Sequence, residues 1–443
     1  MKSPTLRTLF LIVALLLSAS LASSRFAGRA VEAGEKDADI YKSLDILCDV
    51  VTIVQRDYIE KLSSEKLMQD ALRGILASLD SYSTYTPPPV ARETPAVPAK
   101  DLGTYGIEVA YKEKLFTVVA PVENGPAWKA GIKGGDLIIK IDEDAVDDRP
   151  LVELLQLFRG ATARELHLQV VRRGEREFLD FTLKPGKIEG PAARTEMLED
   201  KIALLRISRF DRETPARVAE CLAQLKGEGA DGVVVDLRDC PAGDIKSAIA
   251  IADHFIPAGA LVATLAGRTK GANMEFKSSG TPPLAAGPVV ALINGGTSGA
   301  AEVLAGALQA RGRGVLMGQR SFGCAFEEGS FTLKDGSVIT MLTAVYQTPD
   351  GAEIQDEGLE PDIDVPLPSV VVGEAEEDEE EFAVPVDKGE KGEKGVKGVK
   401  GVKGEKGEKG EKGVKGVKQA DPMVQRAVDL IKGIRIMKNQ ERG

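Results

Sequence analysis

The chain has 443 residues, 43% hydrophobic but only 5% aromatic, and a formal net charge of −11. That length accommodates two or three domains. The acidic balance excludes a phosphate-backbone partner as the main business of the protein, because nucleic-acid binding needs a cationic face.

At the N-terminus Lys2 and Arg7 precede an apolar run, Leu9 to Leu17, and Ser20-Leu21-Ala22 offers small residues to a signal peptidase. Residues 1–24 are therefore expected to be a signal peptide or a membrane anchor. The protein is expected to be exported, periplasmic or extracytoplasmic, free or held at the inner membrane. Export allows Cys48, Cys221, Cys240 and Cys324 to pair. No CxxC spacing occurs, and neither His167 nor His254 has the context of a base or ligand, so no metal and no cofactor are expected.

Residues 37–86 show helical apolar spacing, with Leu44, Leu47, Val51 and Val54 on one stripe and Leu67, Leu72, Ile75 and Leu76 on the next. Two amphipathic helices form this N-terminal segment. Pro87 to Pro89 then forbid further helix and open an extended linker to about Lys100.

Residues 101–186 change to short β-rich runs, "LFTVVAPV", "DLIIKID" and "ELHLQVV", with a helix at "PLVELLQLF". A small β-rich domain is expected. Its "GPAWKAGIKGGDLIIKIDEDAV" resembles the second half of a PDZ domain, and "TYGIEV" is similar to that domain's carboxylate-binding loop. Independently of the resemblance, consecutive N–H groups around Gly106 can face one concavity and hold a terminal carboxylate while the next strand pairs with a peptide. Tyr105, Gly106, Ile107 and Glu108 are the residues expected to bind that carboxylate.

Strands and helices alternate over residues 190–367: "IALLRIS", "PARVAECLAQLK", "GVVVDLR", "DIKSAIAIADHFI", "PVVALIN" and "AAEVLAGALQ". This rhythm predicts an α/β core with parallel strands, and ligands collect beyond the carboxyl ends of such strands. "DLRDCPAGD" and "INGGTSGAAE" lie at two such ends. Residues 372–419 are acidic and then run through Lys-Gly-Glu and Lys-Gly-Val triplets, a composition expected to form a disordered linker. Residues 420–437 resume helical spacing and are expected to return to the body as a C-terminal helix.

"LDSYSTY", "GPAWKAGIKGGDLI", "VVVDLR", "EVLAGALQ" and "YQTPDGAEIQDEGLEPDIDV", in this order, resemble the C-terminal processing peptidases, or tail-specific proteases. The resemblance implies an α/β core of the tail-specific protease type, an N-terminal helical segment and a small PDZ domain. It also implies a Ser-Lys dyad, in which a lysine kept neutral by a low-dielectric site activates a serine. Asn294, Gly296 and Glu302 fix the register of the nucleophile motif, which puts Gly299 at the nucleophile position; Cys324 occupies the lysine position. In the oxyanion loop, the family's Asn-Pro-Gly-Gly is replaced here by Cys240, Pro241, Ala242 and Gly243.

What the resemblance implies, after these departures, is an exported peptidase homologue that binds C-terminal peptides but lacks proteolysis, acting as adaptor or regulator. Its expected partners are the C-terminal peptides of exported proteins, together with an active relative or a second copy of the chain. Arg238 and the glycines are expected to keep a peptide-shaped cleft. The alternative is an active serine-type endopeptidase of the same family using Ser298 or another residue, although one step at a helix start turns the Ser298 side chain by about 100°, away from the oxyanion donors. The same resemblance places Cys240 and Cys324 on facing walls of the cleft, where they could form a disulfide.

Overall fold

The computed structural model describes residues 40–93, 104–112, 115–146, 151–158, 164–269, 271–279, 287–366 and 421–440. The expected signal or anchor at residues 1–24 and the expected linker at 372–419 lie outside them. Among the described residues no helix is long and apolar enough to cross a membrane. The chain divides into two compact units, one of residues 1–91 with Phe331–Thr340 and one of Arg92–Ser330 with Met341–Gly443.

In the first unit, helix α1 occupies residues 40–57 and α2 spans Ser64–Ala77, capped by Ser63, whose side chain accepts the Lys66 N–H. Strand β1, Thr84–Thr86, pairs antiparallel with Val338, Ile339 and Thr340. Helix α3 follows at Pro88–Glu93, where the sequence predicts an extended linker. The expectation fails because proline is tolerated in the first turn, where its missing N–H would have no intrahelical partner.

The second unit begins with a small antiparallel sheet. It is built from β2 (Ile107–Lys112), β3 (Leu115–Pro121), helix α4 (Pro126–Ala130), β4 (Leu137–Ile141), β5 (Asp144–Ala145), helix α5 (Leu151–Phe158), β6 (Leu166–Val171) and β7 (Leu179–Leu183). The strand order β2-β3-β4-β6-β7 leaves β2 at an edge, with α5 against it. Tyr105, Phe116, Ile138, Phe158 and Leu168 pack its core.

The larger layer runs through β8 (Ala193–Met197), β9 (Ile202–Ile207), α6 (Thr214–Gly227), β10 (Gly232–Asp236), α7 (Ile245–Ala252), β11 (Leu261–Gly267), β12 (Met274–Lys277) and β13 (Val289–Ile293). It continues through α8 (Ala300–Ala310), β14 (Val315–Gly318), β15 (Phe326–Thr332), β16 (Val338–Gln347), β17 (Ile363–Asp364) and α9 (Pro422–Gln440). Its sheet has the order β17-β14-β13-β10-β9-β8, parallel from β9 to β17. Only β8 runs antiparallel. Strand β11 pairs antiparallel with β12 and with Ala344–Gln347 of β16.

Both faces of the parallel sheet are covered, which is why β10 and β13 are buried at every position. Alternation divides them: Val233, Val235, Val289, Ala291 and Ile293 join α6, α7 and α8 in one apolar cluster, while Val234, Val290 and Leu292 meet Ala427, Val428 and Ile431 of α9 in another. Asp421 anchors the start of α9 by accepting the N–H of Met423 at 2.9 Å and ion-pairing with Arg238 at 2.7 Å.

Candidate functional site

Three loops leave the carboxyl ends of β10, β13 and β14 and converge. The first two are pinned together by Asn294. Its Oδ1 accepts the N–H groups of Asp239 and Gly296, and its Nδ2 donates to Asp239 Oδ1. Thr297 Oγ1 donates to the Leu237 carbonyl, and Ser298 N–H to the Cys240 carbonyl at 3.1 Å. Any Cβ at Gly296 would come within 2.6 Å of Asp239 Oδ1 and 3.2 Å of Ala120 of β3, so glycine is what lets the loops close.

Gly299 adopts φ 57° and ψ −112°, a backbone conformation that side chains resist and that reactive turns hold under strain. A Cβ there would lie 3.2 Å from Ala242 Cα and 3.4 Å from the Cys324 carbonyl oxygen, so a small side chain fits with slight adjustment. Glu302, one turn on in α8, is fully buried. Its Oε2 accepts the N–H of Gly299 and of Cys324, both at 2.9 Å. Its Oε1 accepts Ser321 Oγ and the Gly323 N–H. Burial pushes this carboxyl above the usual range, against the pull of these donors.

The remaining acid comes from β2. Glu108 is buried, its Oε2 accepting the Ala242 N–H at 2.7 Å and its Oε1 the Ser298 hydroxyl at 3.1 Å. The Cys324 side chain also donates to it. Burial pushes Glu108 up to about 7, with Glu302 adding to the shift and the three donors opposing it. Four residues along the same strand, Lys112 Nζ donates to the Phe322 carbonyl at 3.0 Å and sits 4.9 Å from the centre of the Phe322 ring.

Of the residues expected to hold a peptide carboxylate, Tyr105, Gly106 and Ile107 remain together at the start of β2. Tyr105 is buried and its hydroxyl donates to the Arg164 carbonyl, while Gly106 turns at φ 62°. The Glu108 side chain leaves this group and enters the loop cluster. The Ser298 hydroxyl donates to one oxygen of Glu108 and the Ala242 N–H to the other. Ser298 itself is fully buried.

Arg238 lies in the loop after β10. It forks onto Asp236 and reaches Asp421, so it ties the β10 loop to α9. Gly243, at φ 113°, lies where a Cβ would strike the Phe210 carbonyl at 2.7 Å. Cys240 is buried and its thiol is pushed up to about 12 by burial; Cys324 is half-buried. Among the described residues the two form no disulfide.

The sequence missed Glu108 and Lys112 as contributors to this cluster and used Glu302 only to set register. A signal existed in "GIEVAYK", where alternation puts Glu108 on one face with Ala110 and Lys112 while Ile107 faces the sheet's own core. A glutamate flanked by strand-forming apolar residues needs a buried partner; which one depends on residues far along the chain.

The model for peptidase family S41 matches residues 201–365, and the model for the PDZ domain matches residues 117–172. A carboxy-terminal-processing protease of Bartonella bacilliformis is 31% identical over 382 residues, covering 84% of this chain and 87% of that protein. The carboxy-terminal processing protease CtpA of Bacillus subtilis is 28% identical, over 82% of this chain and 78% of its own length. Among solved structures, a photosystem II D1 C-terminal processing protease superposes with a TM-score of 0.60 at 24% identity, covering 73% of this chain and 94% of that one. That likeness shows the fold.

Proposed function

The chain belongs to peptidase family S41, with the carboxy-terminal processing proteases, and we propose that it has kept peptide capture while losing peptide cleavage. One observation carries this reading. At Gly299 the strained turn has no side chain, so it offers a carbonyl carbon no attacking atom. Cys324 brings a thiol to the position that the family resemblance gives to the general base, and a thiol held against a carboxylate is a poor proton acceptor.

The PDZ domain supports the retained half. Strand β2 lies at the edge of its sheet beside α5, the arrangement in which an extended peptide adds as a further strand and side-chain pockets select its sequence. The ligands of this reading are C-terminal peptides of exported proteins, and the protein acts as an adaptor or regulator outside the cytoplasm.

A rival reading has one observation in its favour: the Ser298 hydroxyl donates to Glu108, as a nucleophile donates to a base. Against it, Ser298 is fully buried and Glu108 already accepts the Ala242 N–H that an oxyanion would need.

Unfolded substrates with apolar C-termini, incubated with the wild-type chain, with Ser298→Ala and with the double variant Gly299→Ser, Cys324→Lys, separate the two readings. We expect cleavage from the double variant alone. Cleavage by the wild type that disappears in Ser298→Ala establishes the rival.

A further inference from the structure

Strand β2 belongs to the PDZ sheet, yet the Glu108 side chain enters the peptidase loops. Its carboxyl group takes the Ala242 N–H from the loop after β10, the Ser298 hydroxyl from the turn after β13 and the Cys324 side chain from the loop after β14. Lys112, further along the strand, donates to the Phe322 carbonyl, and Ala120 of the neighbouring β3 lies against Gly296. One face of the PDZ sheet is therefore seated on the three loops that leave the carboxyl ends of the parallel strands.

Two buried carboxyl groups meet in this seat, joined through Cys324, whose backbone N–H goes to Glu302 and whose side chain goes to Glu108. Glu302 accepts the N–H groups of Gly299, Gly323 and Cys324 and the Ser321 hydroxyl. Glu108 accepts one backbone N–H and two side chains. Two carboxyl groups in one buried site do not readily ionise together, so Glu302, with more donors, takes the charge and Glu108 the proton. The other titratable groups around Glu108 leave a charge there without a counterion. Cys240 is a buried thiol held protonated, Arg206 beside it is paired with Asp236, and Lys112 is engaged by Phe322.

We propose that Glu108 is a proton-operated latch between the PDZ domain and the peptidase loops: protonated, it keeps β2 seated on them, and once ionised it withdraws into water, carrying β2 off the site and uncovering it. The drive for release is hydration, which an ionised carboxylate lacks in the seat and regains outside it. The latch works whether the uncovered site binds or cleaves, so it rests on neither reading above. The seated acid titrates at about 7 and a released one near the ordinary 4.5. Seating is therefore favoured in full below about 4.5 and is lost as pH rises through about 7.

Amide hydrogen exchange of the full-length chain across this range, corrected for the intrinsic pH dependence of exchange, tests the latch at the Ala242 N–H, with Val233–Val235 of β10 as reference. In the wild type, exchange at Ala242 should gain up to about 70-fold from pH 5 to pH 8 and level off above it. The β10 amides should hold while the radius of gyration rises. Glu108→Gln should keep Ala242 protected and the radius constant at every pH. Ser298→Ala removes a donor that favours the charged form, so its levelling-off should move to higher pH, and this variant decides the matter if Glu108→Gln does not fold.

A flat Ala242 profile in the wild type, the same profile in Glu108→Gln or an unmoved one in Ser298→Ala overturns the latch. Deprotection of β10 in step with Ala242 also overturns it, because the sheet itself is then opening. So does deprotection of Ala242 at constant radius, which leaves β2 in its seat.

Discussion

Gly299 and Cys324 are tied to each other through one atom: Glu302 Oε2 accepts the backbone N–H of both at 2.9 Å. The two positions that the family resemblance assigns to nucleophile and base are therefore held in fixed relation by their backbones. The substituents have changed, and the frame that spaces them is intact.

That frame should be costly to remove. Glu302→Ala strips the acceptor from the amides of Gly299, Gly323 and Cys324 and from the Ser321 hydroxyl. Each buried donor left unmet costs about 1–3 kcal/mol. The variant should be insoluble, or should unfold at a denaturant concentration far below wild type, with Glu302→Gln intermediate. A Glu302→Ala protein with a wild-type urea midpoint would show that these bonds contribute nothing.

Restoring a side chain at the turn should destabilise moderately. Gly299→Ala places a Cβ on a backbone at φ 57° and ψ −112° with neighbours at 3.2 and 3.4 Å. A strain of about 1–3 kcal/mol follows, readable as a lower urea midpoint with unchanged slope.

Stability should also carry a pH signature from Glu108. Its pKa is raised by burial to about 7, so the folded chain holds the proton more tightly than the unfolded one. The resulting stabilisation is full below the ordinary value of 4.5 and is lost as pH rises through about 7. Glu302, the negative neighbour, is raised in the same sense, and Cys240 stays protonated throughout this window because burial holds it at about 12. Glu108→Gln imitates the protonated acid, so it should gain on wild type by up to about 3 kcal/mol between pH 5 and pH 8. Denaturation curves that shift in parallel for the two proteins across this range would exclude the effect.

Thiol reactivity should sort the cysteines by exposure. Cys48 is exposed, Cys324 half-buried, and Cys221 and Cys240 buried. Native alkylation followed by peptide mapping without reductant should label Cys48 first and Cys324 next, and leave Cys221 and Cys240 until denaturation. Recovery of a Cys240–Cys324 linked peptide would contradict this order, since the structure holds no disulfide between them.

Much of the fold was legible because its signals are local. The all-buried strands at Val233–Val235 and Val289–Ile293 read as unbroken apolar runs, and the stripe of α9 has helical period. Helix α3 was hidden by the prolines that begin it, and β1 by being only three residues long. The site was legible in its register, since Asn294, Gly296 and Glu302 are spaced along one segment. Its occupancy was not. The Glu108–Ser298 bond joins residues 190 positions apart and the Arg238–Asp421 pair spans 183, and no periodicity within a segment encodes which distant group a buried acid or base will meet.

Arg238 offers a test of the second of these pairs. It is held between buried Asp236 and Asp421, so Arg238→Ala leaves Asp236 short of a partner and should cost about 3–5 kcal/mol. Asp421→Asn should cost far less. Both should speed amide exchange in residues 422–440 before the rest of the chain responds.

The seating of α9 also bears on how the chain tolerates being cut. Val365 lies in the same apolar cluster as Ala427, Val428 and Ile431, so the covalent stretch between residues 366 and 421 leaves and returns to one patch of the fold. A nick anywhere in that stretch would turn one polypeptide into two that stay together. Residues 421–443 supplied as a separate peptide should complement a chain ending at 366, in the manner of a split protein.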